Sequence, residues 1–381
     1  MEKIIIDYIK VNQPIGDLYI SKIDAYKLYS MAKSDIIKIS KEKQEYIGIQ
    51  REIKPDKVKK IKSYLTSYDA TFPNNIILNV YKKHITLLPN NKMEINVNPN
   101  TFQIIDGQHR LAGFDDNKKI KFELPVTIFI NLKKEEQSRI FDTINSEQTK
   151  VDPSHRFYQY SKDTYYTPRK MISRIAIALS KDENSPWIDK IKLIGRKDEL
   201  STNGIISLNT FSKKLLEYIY NDSDYNKVRN ALIDKKFYEN ENEDEIQNEE
   251  EIENNEPIYE KLKDLTIHSG FLWDIYIHQD EGFLYKVLLN YFNSFKKILK
   301  KDWEDKNSIL TKTTGYNAQI LLFKDLFKKG SEEKNLSEEF FTKQLKNLEN
   351  LDGTINSNNY ESSGESSSNK LYREFRSKIN I

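Results

Sequence analysis

Thr101-Phe102-Gln103-Ile104-Ile105-Asp106-Gly107-Gln108-His109-Arg110-Leu111-Ala112-Gly113-Phe114 carries the reading of this chain. Phe102–Ile105 is an apolar run of strand type, Asp106-Gly107 is a turn pair, and a helix is expected over Gln108–Asp116. Gly107 lets the chain reverse without a side chain in the way. The first turn of the following helix then directs free backbone N–H groups outward, which suits an anion. Gln108, His109 and Arg110 add an amide, an imidazole and a guanidinium to that turn. Arg110 can fork onto two phosphate oxygens. His109 can donate a proton or orient a water near neutral pH, and Asp106 can hold Mg²⁺ or act as a base. Structural readings stand beside these. Asp106 can cap the helix by accepting the N–H of Gln108 or His109, His109 can be a packed histidine, and Arg110 can bridge a carboxylate.

On the N-terminal side, Pro55 opens a helix with Val58, Ile61 and Leu65 as its apolar stripe and Lys57, Lys59, Lys60 and Lys62 on the other face. That face reads as solvated surface or as a phosphate contact. Strands are expected at Ile76–Val80, Ile85–Leu88, Met93–Val97 and Val126–Ile130, and a helix over Lys133–Ile144. The pattern predicts an α+β domain over residues 40–155, preceded by lead-in strands and a helix over 1–39. Residues 156–350 read as mainly helical, starting with Thr167-Pro168 as cap and first turn. Ile191–Ile194 and Ile205–Leu208 are expected to pair as a hairpin. Trp187, Trp273 and Trp303 read as core anchors. Residues 351–381, rich in Ser, Asn and Gly at first, read as a flexible segment with a final short helix.

Composition narrows the chemistry. The chain has 381 residues and no cysteine, which excludes disulfides, zinc thiolate sites, iron–sulfur clusters and a cysteine nucleophile. His84, His155, His268 and His278 lack metal-ligand spacing, and neither a HExxH motif nor a P-loop occurs. No apolar run reaches the roughly 20 residues of a bilayer span, so a cytoplasmic protein without membrane partners is expected. The net charge of +2 conceals an asymmetry. Residues 239–256 hold ten carboxylates and no Lys or Arg, and read as a disordered insertion. With that tract set aside, 60 Lys and Arg stand against 48 Asp and Glu. A basic body permits a polyanionic partner.

Asp106 through Arg110 spell DGQHR, and the chain resembles the DGQHR-domain family, which includes the DndB proteins of DNA phosphorothioation systems. Gln50-Arg51 and Phe72-Pro73-Asn74 are similar to two upstream elements of that family. Phe141-Asp142-Thr143-Ile144-Asn145-Ser146-Glu147-Gln148-Thr149-Lys150-Val151 is similar to a downstream block. Ser185-Pro186-Trp187, Ile191-Lys192-Leu193 and Lys312-Thr313-Thr314-Gly315 resemble weaker C-terminal markers. The likeness covers about residues 45–325, with its specific part at 50–150. It implies a core like that of the ParB and sulfiredoxin superfamily, whose phosphate-binding Gly-x-x-Arg corresponds to Gly107 and Arg110. Sulfiredoxin-type redox chemistry is excluded, since it needs a cysteine.

The resemblance implies a nucleotide- and DNA-associated protein of a prokaryotic DNA modification or phage-defence system, working beside other proteins of its cluster or as a homo-oligomer. One reading makes it a Mg²⁺-dependent nucleotide or phosphoester hydrolase. Asp106 and His109 would then be catalytic, with Gln50, Arg51, Gly107, Gln108, Arg110, Asn145 and Gln148 holding the nucleotide phosphates. The other makes it a non-catalytic, DNA-binding transcriptional regulator using the same cleft for anchoring. Asn145 and Gln148 also fit a plain helix C-terminus.

Overall fold

The computed structural model describes residues 2–36, 38–40, 45–47, 52–115, 121–147, 151–197, 201–233, 257–360 and 365–379. Gln50, Arg51, Gln148 and the acidic tract 239–256 lie outside them. The chain divides into two units, Met1–Lys150 and Val151–Ile381. The first is α+β and the second mainly helical, as the sequence pattern predicts.

In the first unit the elements are β1 (Lys3–Asp7), β2 (Ile9–Gln13), β3 (Gly16–Asp24), α1 (Ala25–Met31), β4 (Ala32–Ser34), β5 (Lys38–Ser40), β6 (Glu45–Ile47) and α2 (Pro55–Tyr64). Then come β7 (Ile76–Val80), β8 (Ile85–Leu88), β9 (Lys92–Asn96), β10 (Phe102–Asp106), α3 (Gln108–Ala112), β11 (Glu123–Ile130) and α4 (Lys134–Glu147). Six strands form a mixed sheet in the order β2-β3-β11-β7-β10-β4. β7 is parallel to β11 and antiparallel to β10. Its sequence is almost wholly apolar because both faces of an inner strand are covered. Ile76, Leu78 and Val80 point into the larger core, with Leu28, Leu111 and Phe114 from α1, α3 and the turn after α3. Met93 of β9 and Ile85 of β8, from the antiparallel sheet β1-β9-β8, join that core. The opposite face is covered by α4, whose Ile140 and Phe141 pack with Ile105, Phe129 and Leu132.

That second face holds a buried polar network. The Asn79 side chain donates to Gln103 Oε1 (2.9 Å) and accepts the Leu132 N–H (2.9 Å). Gln137 Nε2 donates to Gln103 Oε1 and to the Leu132 carbonyl, both at 3.0 Å. Asn79 and Gln137 are buried, where unpaired amides would be costly, so the network fixes where α4 starts on the sheet.

Residues 1–39 are part of this unit rather than a lead-in. β3 runs antiparallel to β11 over seven residue pairs, and β4 closes the sheet beside β10. The pairing partner lies a hundred residues away, so local pattern does not reveal it.

The second unit opens with α5 (Pro153–Tyr160), α6 (Pro168–Lys181), β12 (Ile191–Lys192), β13 (Ile206–Ser207), α7 (Leu208–Leu216) and α8 (Tyr225–Leu232). Thr167 caps α6 by accepting the Lys170 N–H. β12 and β13 pair in parallel, not as the expected hairpin, with Ile191 opposite Ile206 and Lys192 opposite Ser207. The Ile205 and Ile206 N–H groups both donate to the Lys190 carbonyl. Trp187 and Trp303 are buried with ring centroids 5.4 Å apart, and Trp187 also meets Phe211, Phe292 and Tyr316. Trp273 is half-buried against the same core.

The stretch 352–360 is ordered, against the expectation of flexibility. Buried Asp302 accepts the N–H of Gly353 (2.5 Å) and of Ile355 (3.1 Å), and Ile355 is fully buried. Beyond it the helix Glu365–Lys378 buries Leu371 and Phe375. No helix among the described residues is long and apolar enough to cross a membrane.

Candidate functional site

Asp106 ends β10, Gly107 turns the chain and α3 begins, so the junction read from the sequence exists. Gly107 sits at φ +97°, in the left-handed region. A Cβ there would stand 2.5 Å from the Ile76 Cδ1 methyl and 3.2 Å from Arg110 Nη2. Glycine is therefore required twice, by backbone conformation and by the approach of β7. Helix α3 is shorter than expected, five residues, and closes at Gly113. Gly113 faces Ile61 of α2, where a Cβ would lie 2.4 Å from Cγ2.

The N-cap of α3 is Gly107, without a side-chain cap bond. Asp106 does not cap, because it lies one residue before that position. Its carboxylate instead accepts from Arg110 Nη2 at 2.9 Å, one helical turn away. The same nitrogen donates to the Asn75 carbonyl (3.1 Å), and Nη1 donates to the Asn74 carbonyl. The fork expected to grip phosphate is thus aimed at the turn that leads into β7. Phe72-Pro73-Asn74 and Asp106–Arg110, separate in sequence, form one clasp between the start of β7 and the end of β10. The Arg110 side chain is 19% exposed, too little to hold these bonds loosely in water.

His109 is half-buried, and its Nε2 accepts the Lys54 N–H at 3.2 Å just before α2. That bond requires a neutral ring with its proton on Nδ1. Burial, then the charges of Lys57 and Lys54, push the His109 pKa below the ordinary histidine value, with Asp106 opposing. A proton donor near neutral pH needs the reverse shift. Gln108 is buried and borders a cavity of about 400 Å³, lined also by Lys33, Ser34, Asp35 and Ile53.

Asn145 is exposed in the last turn of α4, and its Nδ2 donates to the Phe141 carbonyl of the same helix. The structure thus unites Asp106, Gly107, His109 and Arg110, and adds Lys54, Asn74, Asn75 and Ile76. Asn74 was read only as part of a family element, and the roles of Lys54, Asn74 and Asn75 escaped the sequence reading because they contribute backbone atoms, which no side-chain pattern announces.

Along α2, Lys57, Lys59 and Lys60 are exposed, as is Lys54 at its N-cap. None of the four has an ion-pair partner among the described residues. Lys62 differs, since its ammonium lies 2.5 Å from Asp115. Asp56 is the acidic residue of the first turn. As a donor set for Mg²⁺, Asp106 does not fit. A guanidinium already occupies its carboxylate, and no group of three His, Asp or Glu that could hold a metal gathers among the described residues.

The fold and the junction define a protein with an α+β unit built around a strand–Asp-Gly–helix clasp, followed by a mainly helical unit. Over residues 8–269, more than two thirds of its length, the chain matches the DndB family, described as DNA-sulfur modification-associated, and it belongs to that family. Among solved structures it is similar to the C-terminally truncated chromosome-partitioning protein ParB from Caulobacter crescentus, complexed with CTP-gamma-S. The identity is 9%, the match covers 43% of this chain and 81% of that one, and the TM-score is 0.26. No curated protein matches the chain.

Proposed function

We propose that this protein is a DNA-binding member of a DNA-sulfur modification system, contacting the phosphate backbone through the lysine face of α2. In this reading the Asp106–Arg110 motif holds that face in place. The observation that carries it is the set Lys54, Lys57, Lys59 and Lys60, exposed and without ion pairs among the described residues. They stand on a helix tied at its start to His109 and packed through Ile61 against Gly113. Cations on a fixed helix meet regularly spaced phosphates at little entropic cost, and release counterions as they do.

The hydrolase reading asks more of the same atoms. Arg110 would have to leave two carbonyls and Asp106 to face a phosphate, and His109 would have to take up a proton that its surroundings disfavour. The non-catalytic, DNA-binding role therefore fits the geometry better than turnover.

Anisotropy titrations of duplex DNA across a salt series test the assignment, with wild type compared to Lys59→Glu with Lys60→Glu. Weaker binding and a shallower salt dependence are expected in the variant. Undiminished affinity would remove α2 from the interface. A parallel Mg²⁺-dependent nucleotide-hydrolysis assay gives the hydrolase reading its chance, and turnover by wild type would restore it.

A further inference from the structure

In the second unit, α5 and α7 are fastened together by Ser154, which is buried and whose hydroxyl oxygen accepts the Asn209 N–H at 3.4 Å. Two residues beyond Ser154 on α5 and four beyond Asn209 on α7, Arg156 and Lys213 are exposed and line the same cavity, of about 260 Å³. Its apolar walls include Phe157 and Tyr160, whose rings meet edge to face at 5.6 Å, and buried Tyr220.

A third cation forms part of the lining. The Arg169 guanidinium lies 3.5 Å from the Tyr225 ring centroid and 5.1 Å from that of Tyr160. It donates to the Tyr160 hydroxyl (3.1 Å) and to the Asp222 carboxylate (2.6 Å). Asp222 thus offsets Arg169, and Glu217, the other acid of the lining, is held by Lys214 at 2.6 Å. Arg156 and Lys213 have no such acid among the described residues, so the lining combines two unpaired positive charges with aromatic walls.

We propose that this cavity binds a nucleoside phosphate, with the phosphate between Arg156 and Lys213 and the base against Phe157 and Tyr160. An arginine fork and a lysine ammonium are matched to phosphate oxygens, and aromatic rings accept a base of any sequence. The volume, about 260 Å³, lies just below the usual range of roughly 300–1,000 Å³ for ligand pockets. Such a ligand reaches the cavity either free or as one nucleotide of a DNA strand. The site lies in a different unit from α2 and does not rest on the α2 assignment.

Calorimetric titration of the full chain tests the proposal, using the four deoxynucleoside 5′-monophosphates, inorganic phosphate and a 5′-phosphorylated deoxynucleotide tetramer. The monophosphates are expected to bind saturably, and Arg156→Glu with Lys213→Glu to weaken them by at least about tenfold, the scale of one lost charge-assisted bond. Lys59→Glu with Lys60→Glu should leave this binding unchanged even where DNA binding falls. In the Lys59→Glu, Lys60→Glu background, a tetramer whose binding is lost on Arg156→Glu with Lys213→Glu identifies a strand as the source, and a tetramer that fails where the monophosphates bind identifies the free nucleotide. Should charge reversal lower the melting temperature, Arg156→Gln with Lys213→Gln reads the same loss with less disturbance. No binding by wild type, equal binding by these variants, or inorganic phosphate binding as tightly as the nucleotides would overturn the proposal.

Discussion

Arg110 makes two carbonyl bonds and one carboxylate bond across the seam between β7 and β10, so its removal leaves three acceptors short of a donor. Arg110→Ala should cost about 2–4 kcal/mol, the range for losing partly buried, charge-assisted bonds. Arg110→Lys should recover little of it, since an ammonium cannot span acceptors set for a planar fork. Thermal melts of the two variants without ligand decide the point. Near-wild-type stability in Arg110→Ala would return the guanidinium to the role of a free phosphate ligand. His109 gives a second readout. Its pKa is lowered in the folded chain, so below about 6.5, where the unfolded chain takes up the proton, the folded one resists it. The stability it contributes is present above that pH and is lost as pH falls. His84 is shifted in the same direction by burial and Lys83. The melting temperature should therefore drop between pH 7.5 and 5.5. His109→Gln, which can still accept the Lys54 N–H, should drop less, and equal pH slopes would discard this account of the ring. The glycine of this junction was legible in the sequence, because a strand running into Asp-Gly and a helix leaves few other conformations. Arg110's partners were not, because two of the three are carbonyl oxygens some 35 residues upstream.

At the scale of elements, α2 shows what periodicity delivers and what it leaves out. The apolar stripe and the lysine face were both readable, and the helix begins at Pro55 as expected. That Lys62 spends its charge on Asp115 was not readable, since the pair depends on α2 and the turn after α3 lying together. This sharpens the salt experiment. Each lysine that neutralises a phosphate contributes about 0.9 to the slope of log K against log salt. Reversing Lys59 and Lys60 should therefore lower the slope magnitude by about 2 or slightly more, while Lys62→Gln should alter it far less. Equal effects from Lys62 and Lys60 would show that the Asp115 pair is not kept in solution. The same limit explains the β12–β13 pair. Two short apolar runs declare themselves as strands, but whether they run parallel is set by the path between them. It also explains Asn79 and Gln103, whose amides look like surface residues until the opposite face of the sheet is found to be covered by α4.

At the scale of the whole molecule, the chain divides after Lys150, and the anchoring of the C-terminal segment was not legible in the sequence. Ser, Asn and Gly composition argues for a flexible segment, yet the N–H groups of Gly353 and Ile355 are held by Asp302. Burial raises the Asp302 pKa, while those backbone donors pull it back. Composition reports what side chains can bury and is silent about backbone groups that meet a buried acceptor. Beyond that anchor, Ile355, Tyr360, Leu371 and Phe375 belong to the core of the helical unit. Each such side chain is worth roughly 1.5–3 kcal/mol on burial, so the four together contribute about 6–12 kcal/mol. That is comparable to the whole stability of a typical domain, about 5–15 kcal/mol. Deleting residues 352–381 should therefore unfold the second unit. The first unit has separate cores built from residues 18–132, so it should keep its own cooperative melt. Circular dichroism of the truncated chain would show a large loss of helix, with a transition matching that of residues 1–150 made alone. A truncated chain that retained full helicity would mean that the segment merely rests on a core able to stand without it. A chain that lost both transitions would mean that the two units share their stability.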